Sequence, residues 1–155
     1  MPIVLLSDLV TPERVKLPLA GRTKDEVLRE LVDVVVPDQD QSVRDAIVES
    51  LNEREALLST GVGDGVAIPH ARTPLLDRLL IGVGVAHDPV EFDALDGHPV
   101  ELVFLLLGPE SAGAAHLKAL GRISRLLRRE HFRDALREAP DAGALHQAIR
   151  IAESA

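Results

Sequence analysis

An α/β fold, with helices covering both faces of a small mixed sheet, is what this sequence predicts, on three observations. Residues 79–87 (LLIGVGVAH) and 100–108 (VELVFLLLG) are apolar runs bounded by turn residues, as strands buried on both faces are. Ahead of them, two segments carry apolar residues at helical spacing, and behind them 114–128 does the same. Helices that bracket the strands in sequence bury both faces of the sheet when they fold back on it.

The elements follow in order. VKLPLAG at 15–21 reads as a short strand ending in a glycine turn. Thr23 and Glu26 form a capping box, and Val27, Leu28, Leu31, Val32 and Val35 make 24–36 a helix that Pro37 stops. Ser42, with Asp45 in the first turn, opens a second helix carrying Val43, Ala46, Ile47, Ser50 and Leu51, closed by Glu53-Arg54-Glu55. Residues 56–60 (ALLST) read as extended and lead into a glycine loop. Val66–Ile68 then forms a brief strand, with His70 at its end after Pro69. Asp88-Pro89 closes the first long strand, Asp96-Gly97 marks a turn, and Pro99 and Gly108-Pro109 bound the second. Beyond Ser111, Leu117, Leu120, Ile123, Ser124 and Leu127 place a helix over 114–128. Shorter helices follow at 131–138 and 142–152, the last capped by Asp141.

Composition narrows the function. Residues 1–155 read as a single domain, long enough to bury roughly two-thirds of its unfolded surface. No apolar run approaches the roughly 18 residues of a membrane helix, and MPIVLLSDLV lacks the basic flank of a signal peptide. No direct membrane insertion is expected. The absence of cysteine excludes disulfides, thiolate metal sites and a cysteine nucleophile, and fits a cytoplasmic protein. A net charge of −8 opposes binding to a phosphate backbone, and three Phe without Trp or Tyr offer no stacking platform, so nucleic acid is not the partner.

GVGDGVAIPHAR at 61–72 carries the chemistry. A histidine nitrogen is a nucleophile near neutral pH, because its ordinary pKa is about 6.5. Phosphoryl transfer asks for such a nucleophile in line, donors for the equatorial oxygens and a shaped site. His70 fits the first requirement. The amides around Gly61, Gly63 and Gly65 are candidates for the second, as a phosphate-binding nest. Arg54 offers a bidentate guanidinium, and His116 stands near a helix start, where an anion is favoured. Taken singly, each has a plain structural explanation: a turn residue after proline, a solvated helix-end charge, a helix-start residue. His87, His98, His131 and His146 are read only that way, as strand end, turn, helix start and last-helix surface.

Other motifs fail on context. GVGDG is not followed directly by a helix, as a dinucleotide fingerprint must be, and no Gly-Lys-Ser/Thr occurs. The histidines lack metal-ligand spacing, so no metal and no cofactor are expected. The arginines at 122, 125, 128, 129, 133 and 137 form a solvated helix face or, alternatively, a docking surface for an acidic partner.

REALLSTGVGDGVAIPHAR at 54–72 resembles the active-site segment of enzyme IIA of the bacterial phosphoenolpyruvate:sugar phosphotransferase system, fructose/mannitol type, a group that includes the nitrogen-regulatory branch. EFDALDGHPVELVFLLLGPE at 91–110 with HLKALGRISRLLR at 116–128 resembles the family's second signature region, and the likeness runs from about residue 3 to about residue 150. It implies a three-layer α/β/α sandwich with a mixed sheet. By resemblance, His70 is the phosphorylated residue, His116 the assisting histidine, and Arg54 the arginine of an Arg-Glu pair at the phosphate site. The implied phosphoryl donor is the histidine phosphocarrier protein, and the implied receivers are a IIB component or regulatory targets. Ala71 departs from the glycine frequent at its position, and Gly121 interrupts its helix at a cost of about 1 kcal/mol.

Two functions remain open at this point. One is a phosphocarrier in sugar uptake. The other is a regulatory protein whose docking is switched by charge added at His70. The chain is expected to be a free-standing domain without a fused IIB or membrane portion, which fits either, and it resembles the regulatory branch slightly better. Loss of phosphotransfer on a retained fold is the remote third reading, opposed by the presence of His70, His116 and Arg54.

Overall fold

The computed structural model describes residues 5–57 and 59–154. Residues 1–4 of the N-terminal apolar patch, Leu58 in the stretch expected to be extended, and Ala155 lie outside the described residues. Helix α1 (Leu6–Leu9) and a 3-10 turn (Pro12–Arg14) lead into β1 (Val15–Lys16), α2 (Lys24–Val35) and α3 (Gln41–Leu57). Four strands then precede the last long one: β2 (Gly61–Gly63), β3 (Val66–Ala67), β4 (His70–Arg72) and β5 (Leu80–Val90). After β6 (Val100–Gly108) and a second 3-10 turn (Glu110–Ala112) come α4 (Gly113–Leu127), α5 (Glu130–Glu138) and α6 (Ala142–Ser154).

The sheet is mixed, in the order β1-β5-β6-β3-β2, with β4 also against β6. Strands β5 and β6 pair antiparallel from Leu80↔Leu107 to Val90↔Val100, with a register shift between Val85 and Val90. Strand β1 runs parallel to β5, and both β3 and β4 run parallel to β6. Strand β6 divides the two cores by simple alternation. Val103, Leu105 and Leu107 meet Leu28, Leu31, Ile47 and Leu51 of α2 and α3 on one face. Leu102, Phe104 and Leu106 meet Ile123, Phe132, Leu136, Leu145 and Ile149 of α4–α6 on the other. The architecture is a three-layer α/β/α sandwich.

Local chemistry accounts for most of the boundaries. Thr23 Oγ1 accepts the Glu26 amide at 3.2 Å and Glu26 Oε1 accepts the Thr23 amide at 3.2 Å, so the expected capping box forms. Asp141 Oδ1 accepts the Ala144 amide at 2.8 Å, capping the last helix as expected. Helix α3 runs past its expected end to Leu57, since Ala56 and Leu57 are good helix formers with no breaker before them. The strand expected over 15–21 is only Val15–Lys16, because Pro18 has no N–H to offer a ladder. Strand β5 continues through Asp88-Pro89 to Val90, the register shift absorbing the proline. Helix α1 was not anticipated. Its four residues are too few for a period, and Glu153 of α6 holds it by accepting the Leu6 and Ser7 amides at 2.6 and 2.9 Å.

The glycine loop and the strand after it also differ from expectation. Asp64 and Gly65 have φ of 58° and 75°, the paired left-handed positions of a two-residue hairpin turn, so the loop is the β2–β3 hairpin. His70 does not end β3. It opens β4, in line with β3 beside β6, because Pro69 has no N–H and breaks the ladder between them.

The two kinds of determinant differ in weight. Leu105 is fully enclosed, so Leu105→Ala should cost about 2–5 kcal/mol in urea unfolding, whereas Thr23→Ala, which removes only a cap, should cost about 1 kcal/mol.

Candidate active site

Strand alternation sets the first two side chains. Ala71 belongs to the α2–α3 core, so His70 and Arg72, its neighbours on β4, face the α4 side with Ile68. The last turns of α3 bring Ser50, Glu53 and Arg54 to the same cleft, and Glu110 and the first turn of α4 bring His116. The structure therefore gathers His70, His116 and Arg54, as the sequence predicts.

The ring centroids of His70 and His116 lie 5.8 Å apart, with planes inclined at 59°. Nδ1 of His70 stands 2.7 Å from the Ile68 carbonyl oxygen. A carbonyl only accepts, so Nδ1 carries the hydrogen and donates it, and Nε2 keeps its lone pair. This fixes the tautomer that the sequence left open.

His116 has the opposite character. It is only 6% exposed, and its Nδ1 is enclosed with no hydrogen-bond partner among the described residues. Burial first, then the charges of His70 and Arg72, lower its pKa to about 4, so the ring is neutral at pH 7. An enclosed N–H without an acceptor is rarer and costlier than an enclosed lone pair, which places the proton on Nε2. His116 is thus a neutral hydrogen-bond donor beside the Nε2 of His70. Such a ring holds an oxygen and does not protonate it.

Glu55, beside Arg54 in sequence, points elsewhere. Its carboxylate pairs with Lys24 Nζ at 3.0 Å, accepts the Thr60 amide at 3.1 Å and is bonded by the Thr60 hydroxyl. The carboxylates in the cleft are those of Glu53 and Glu110.

The three glycines are not brought to this cleft. The Gly65 carbonyl accepts the Glu101 and Leu102 amides at the start of β6, while His70 lies opposite Leu106. Five residues of strand separate Gly65 from His70, about 16 Å. Gly63 occupies the same hairpin end, and the Gly61 amide donates to Ser59 Oγ at 3.0 Å. The expected nest is a hairpin instead, for which Asp64-Gly65 was the available signal. Conversely, the sequence reading missed Arg72, although period-two alternation from His70 points to it.

The remaining histidines and arginines have structural surroundings. His87 lies within β5 at an exposed position, and His98 and His131 are exposed. His146 is half-buried, not a surface residue, and its Nε2 stands 2.8 Å from the Ser7 carbonyl. Arg133 donates to the Leu127 carbonyl at 2.8 Å, closing α4. Arg137 binds Glu101 at 2.6 Å and the Asp64 carbonyl at 2.9 Å, and Arg129 reaches the Ala152 carbonyl at 3.4 Å. Arg133 and Arg137 are half-buried and serve the fold, while Arg129 stays on the exposed face that the sequence reading expected. Among the described residues no cluster of three or more His, Asp or Glu could hold a metal ion, and no helix is long and apolar enough to cross a membrane.

Fold and cleft together define a class: a three-layer α/β/α protein presenting an unprotonated histidine nitrogen among hydrogen-bond donors. Residues 8–151 match the family described as "Phosphoenolpyruvate-dependent sugar phosphotransferase system, EIIA 2", and the chain belongs to that family. It is 43% identical over 151 residues to the "Nitrogen regulatory protein" of Bradyrhizobium diazoefficiens, covering 97% of this chain and 96% of that one. Among solved structures it is similar to nitrogen regulatory protein IIA-Ntr from Neisseria meningitidis, with TM-score 0.85, 28% identity, and 93% and 98% of the two chains covered. The fold is shared with enzyme IIAMTL in its complex with phosphorylated enzyme IIBMTL from Escherichia coli, at TM-score 0.70, 18% identity, and 89% and 94% coverage.

The His116 environment has a measurable consequence. Its folded pKa of about 4 lies below the unfolded value near 6.5, so on acidification the unfolded chain takes up a proton first. Stability is therefore unaffected by this group above about pH 6.5 and falls as pH drops toward 4, by on the order of 1–3 kcal/mol. His116→Gln should flatten that part of the curve in urea titrations at successive pH values. An unchanged slope would show that the ring is not held neutral.

Proposed function

We propose that the chain accepts a phosphoryl group on Nε2 of His70 from the histidine phosphocarrier protein, acting in the cytoplasm. The observation that carries this reading is the Ile68 carbonyl on Nδ1, which leaves Nε2 as the nitrogen with a lone pair. That lone pair attacks phosphorus while the bond to the donor's imidazole nitrogen breaks, its electrons returning to the donor ring. The His70 ring gains positive charge, and its Nδ1–H stays on the Ile68 carbonyl, which stabilises it. Nε2–H of neutral His116 and the guanidinium of Arg54 hold the equatorial oxygens, where charge must be steadied during transfer. No metal or cofactor enters this scheme. Pass-on is the same step in reverse, to a nucleophile on the next protein.

The receiving protein separates two readings. A IIB component fits because the Escherichia coli relative is a IIA protein seen in complex with a phosphorylated IIB. A regulatory target fits because the Bradyrhizobium and Neisseria relatives are nitrogen regulatory proteins, and these are the more similar sequences. We favour the regulatory role, in which close to two negative charges added at the cleft alter what docks there.

The test is incubation with enzyme I, the phosphocarrier protein and labelled phosphoenolpyruvate. Acid-labile, alkali-stable label is expected on the 61–72 peptide. His70→Ala should abolish it, and a fully labelled His70→Ala chain would refute the nucleophile. His116→Ala should keep its fold and slow labelling about 100-fold, the usual cost of losing one preorganised donor.

A further inference from the structure

Arg72 has no role in the scheme above, yet its surroundings are unusual for a surface arginine. It shares a strand face with His70 at a spacing of two residues, about 6.6 Å along β4. Its guanidinium makes no hydrogen bond or ion pair with any described residue. Nη1 lies 2.8 Å from the point that a Cβ on Gly113 would occupy, so the cation rests against the first residue of α4. A side chain at 113 would displace it.

That is an unfavourable place for a positive charge. A helix N-terminus carries partial positive charge and prefers an anion. Helix α4 runs for 15 residues, yet Ala112 supplies no side-chain cap and its first turn contains no acidic residue. The guanidinium thus rests beside an uncapped helix start, with no acceptor of its own among the described residues. His70 and the neutral ring of His116 line the same cleft. One anion at this point would satisfy the guanidinium and suit the helix start. Arg54 lines the same cleft from α3, and neither of the cleft's carboxylates, Glu53 and Glu110, forms an ion pair with Arg72 among the described residues.

We propose that Arg72 binds the phosphoryl group carried by His70 and sets how strongly the chain retains it. The inference rests on the assignment of His70 as the phosphorylated residue. Its fork binds two oxygens of the phosphoryl dianion. Because the contact exists only once phosphate is on the ring, it stabilises the phosphorylated form over the free one.

The experiment measures the equilibrium of phosphoryl exchange between the phosphocarrier protein and the full chain, for wild type, Arg72→Gln and Arg72→Lys. Arg72→Gln should shift that equilibrium toward the donor by about tenfold or more, and Arg72→Lys should restore part of the shift. Thermal unfolding of the free proteins should be unchanged. In the unphosphorylated Arg72→Gln chain, the His116 pKa followed by NMR should rise from about 4, since a neighbouring cation has been removed. That titration reports the arginine's nearness to His116 whatever its role; a merely structural arginine would leave the exchange equilibrium unmoved. Wild type that takes no label overturns the His70 reading and this one with it. Label on all three proteins with equal exchange equilibria overturns Arg72 alone.

Discussion

A missing hydrogen atom governs the site. Pro69 has no N–H, so the line of backbone beside β6 cannot run unbroken from Val66 to Arg72. Its carbonyl still accepts the Leu106 amide at 3.0 Å, which keeps the break in plane with the sheet. The break restarts the strand at His70, close behind a carbonyl, that of Ile68, which the ring can reach. From that single contact follow the tautomer, the nitrogen left with a lone pair and the presentation of the ring toward α4. Two apolar cores, one on each face, hold the three layers rigidly enough for a 2.7 Å hydrogen bond to define one ring orientation.

The cleft balances its charges in a way suited to a group that must leave again. The chain carries a net charge of −8, yet two guanidiniums, Arg54 and Arg72, line this cleft. Burial keeps the second histidine uncharged, so the proposed phosphoryl group would meet a dipole there and not a third cation. Interactions that hold the bound state as tightly as the transition state slow release without speeding transfer. In the proposed transfer, a neutral donor at His116 aids the step while adding little to retention.

Periodic features were legible in the sequence and local breaks were not. Helices α2, α4, α5 and α6 and strand β6 fell within two residues of their expected bounds, because long apolar periods are averaged over many residues. Thr23 and Asp141 were readable because a cap is a short-range hydrogen bond between near neighbours. The β3–β4 interruption turns on one absent donor, and α1 depends on Glu153 about 147 residues away, which no local pattern encodes. The glycines misled for a physical reason. A nest and a hairpin both require left-handed backbone, and only the Asp-Gly pair between two strands distinguishes them. At the cleft, the meeting of His70, His116 and Arg54 was readable from residue type and motif, whereas Arg72 needed the extension of the strand beyond Pro69, which the sequence reading ended at His70.

Glu55 never touches the cleft, but it decides who may use the Ile68 carbonyl. The Ile68 amide donates to the Thr60 carbonyl at 3.0 Å, and in an antiparallel pair the Thr60 amide would return the bond to Ile68. Glu55 takes that amide instead. The carboxylate thereby leaves an unfinished rung in the ladder, and the vacant acceptor goes to the imidazole. An anchored ion pair with Lys24 keeps the carboxylate at its post. The His70 ring is thus oriented by a partner drawn away from its own neighbour: the sheet forgoes one hydrogen bond, and the cleft inherits its acceptor.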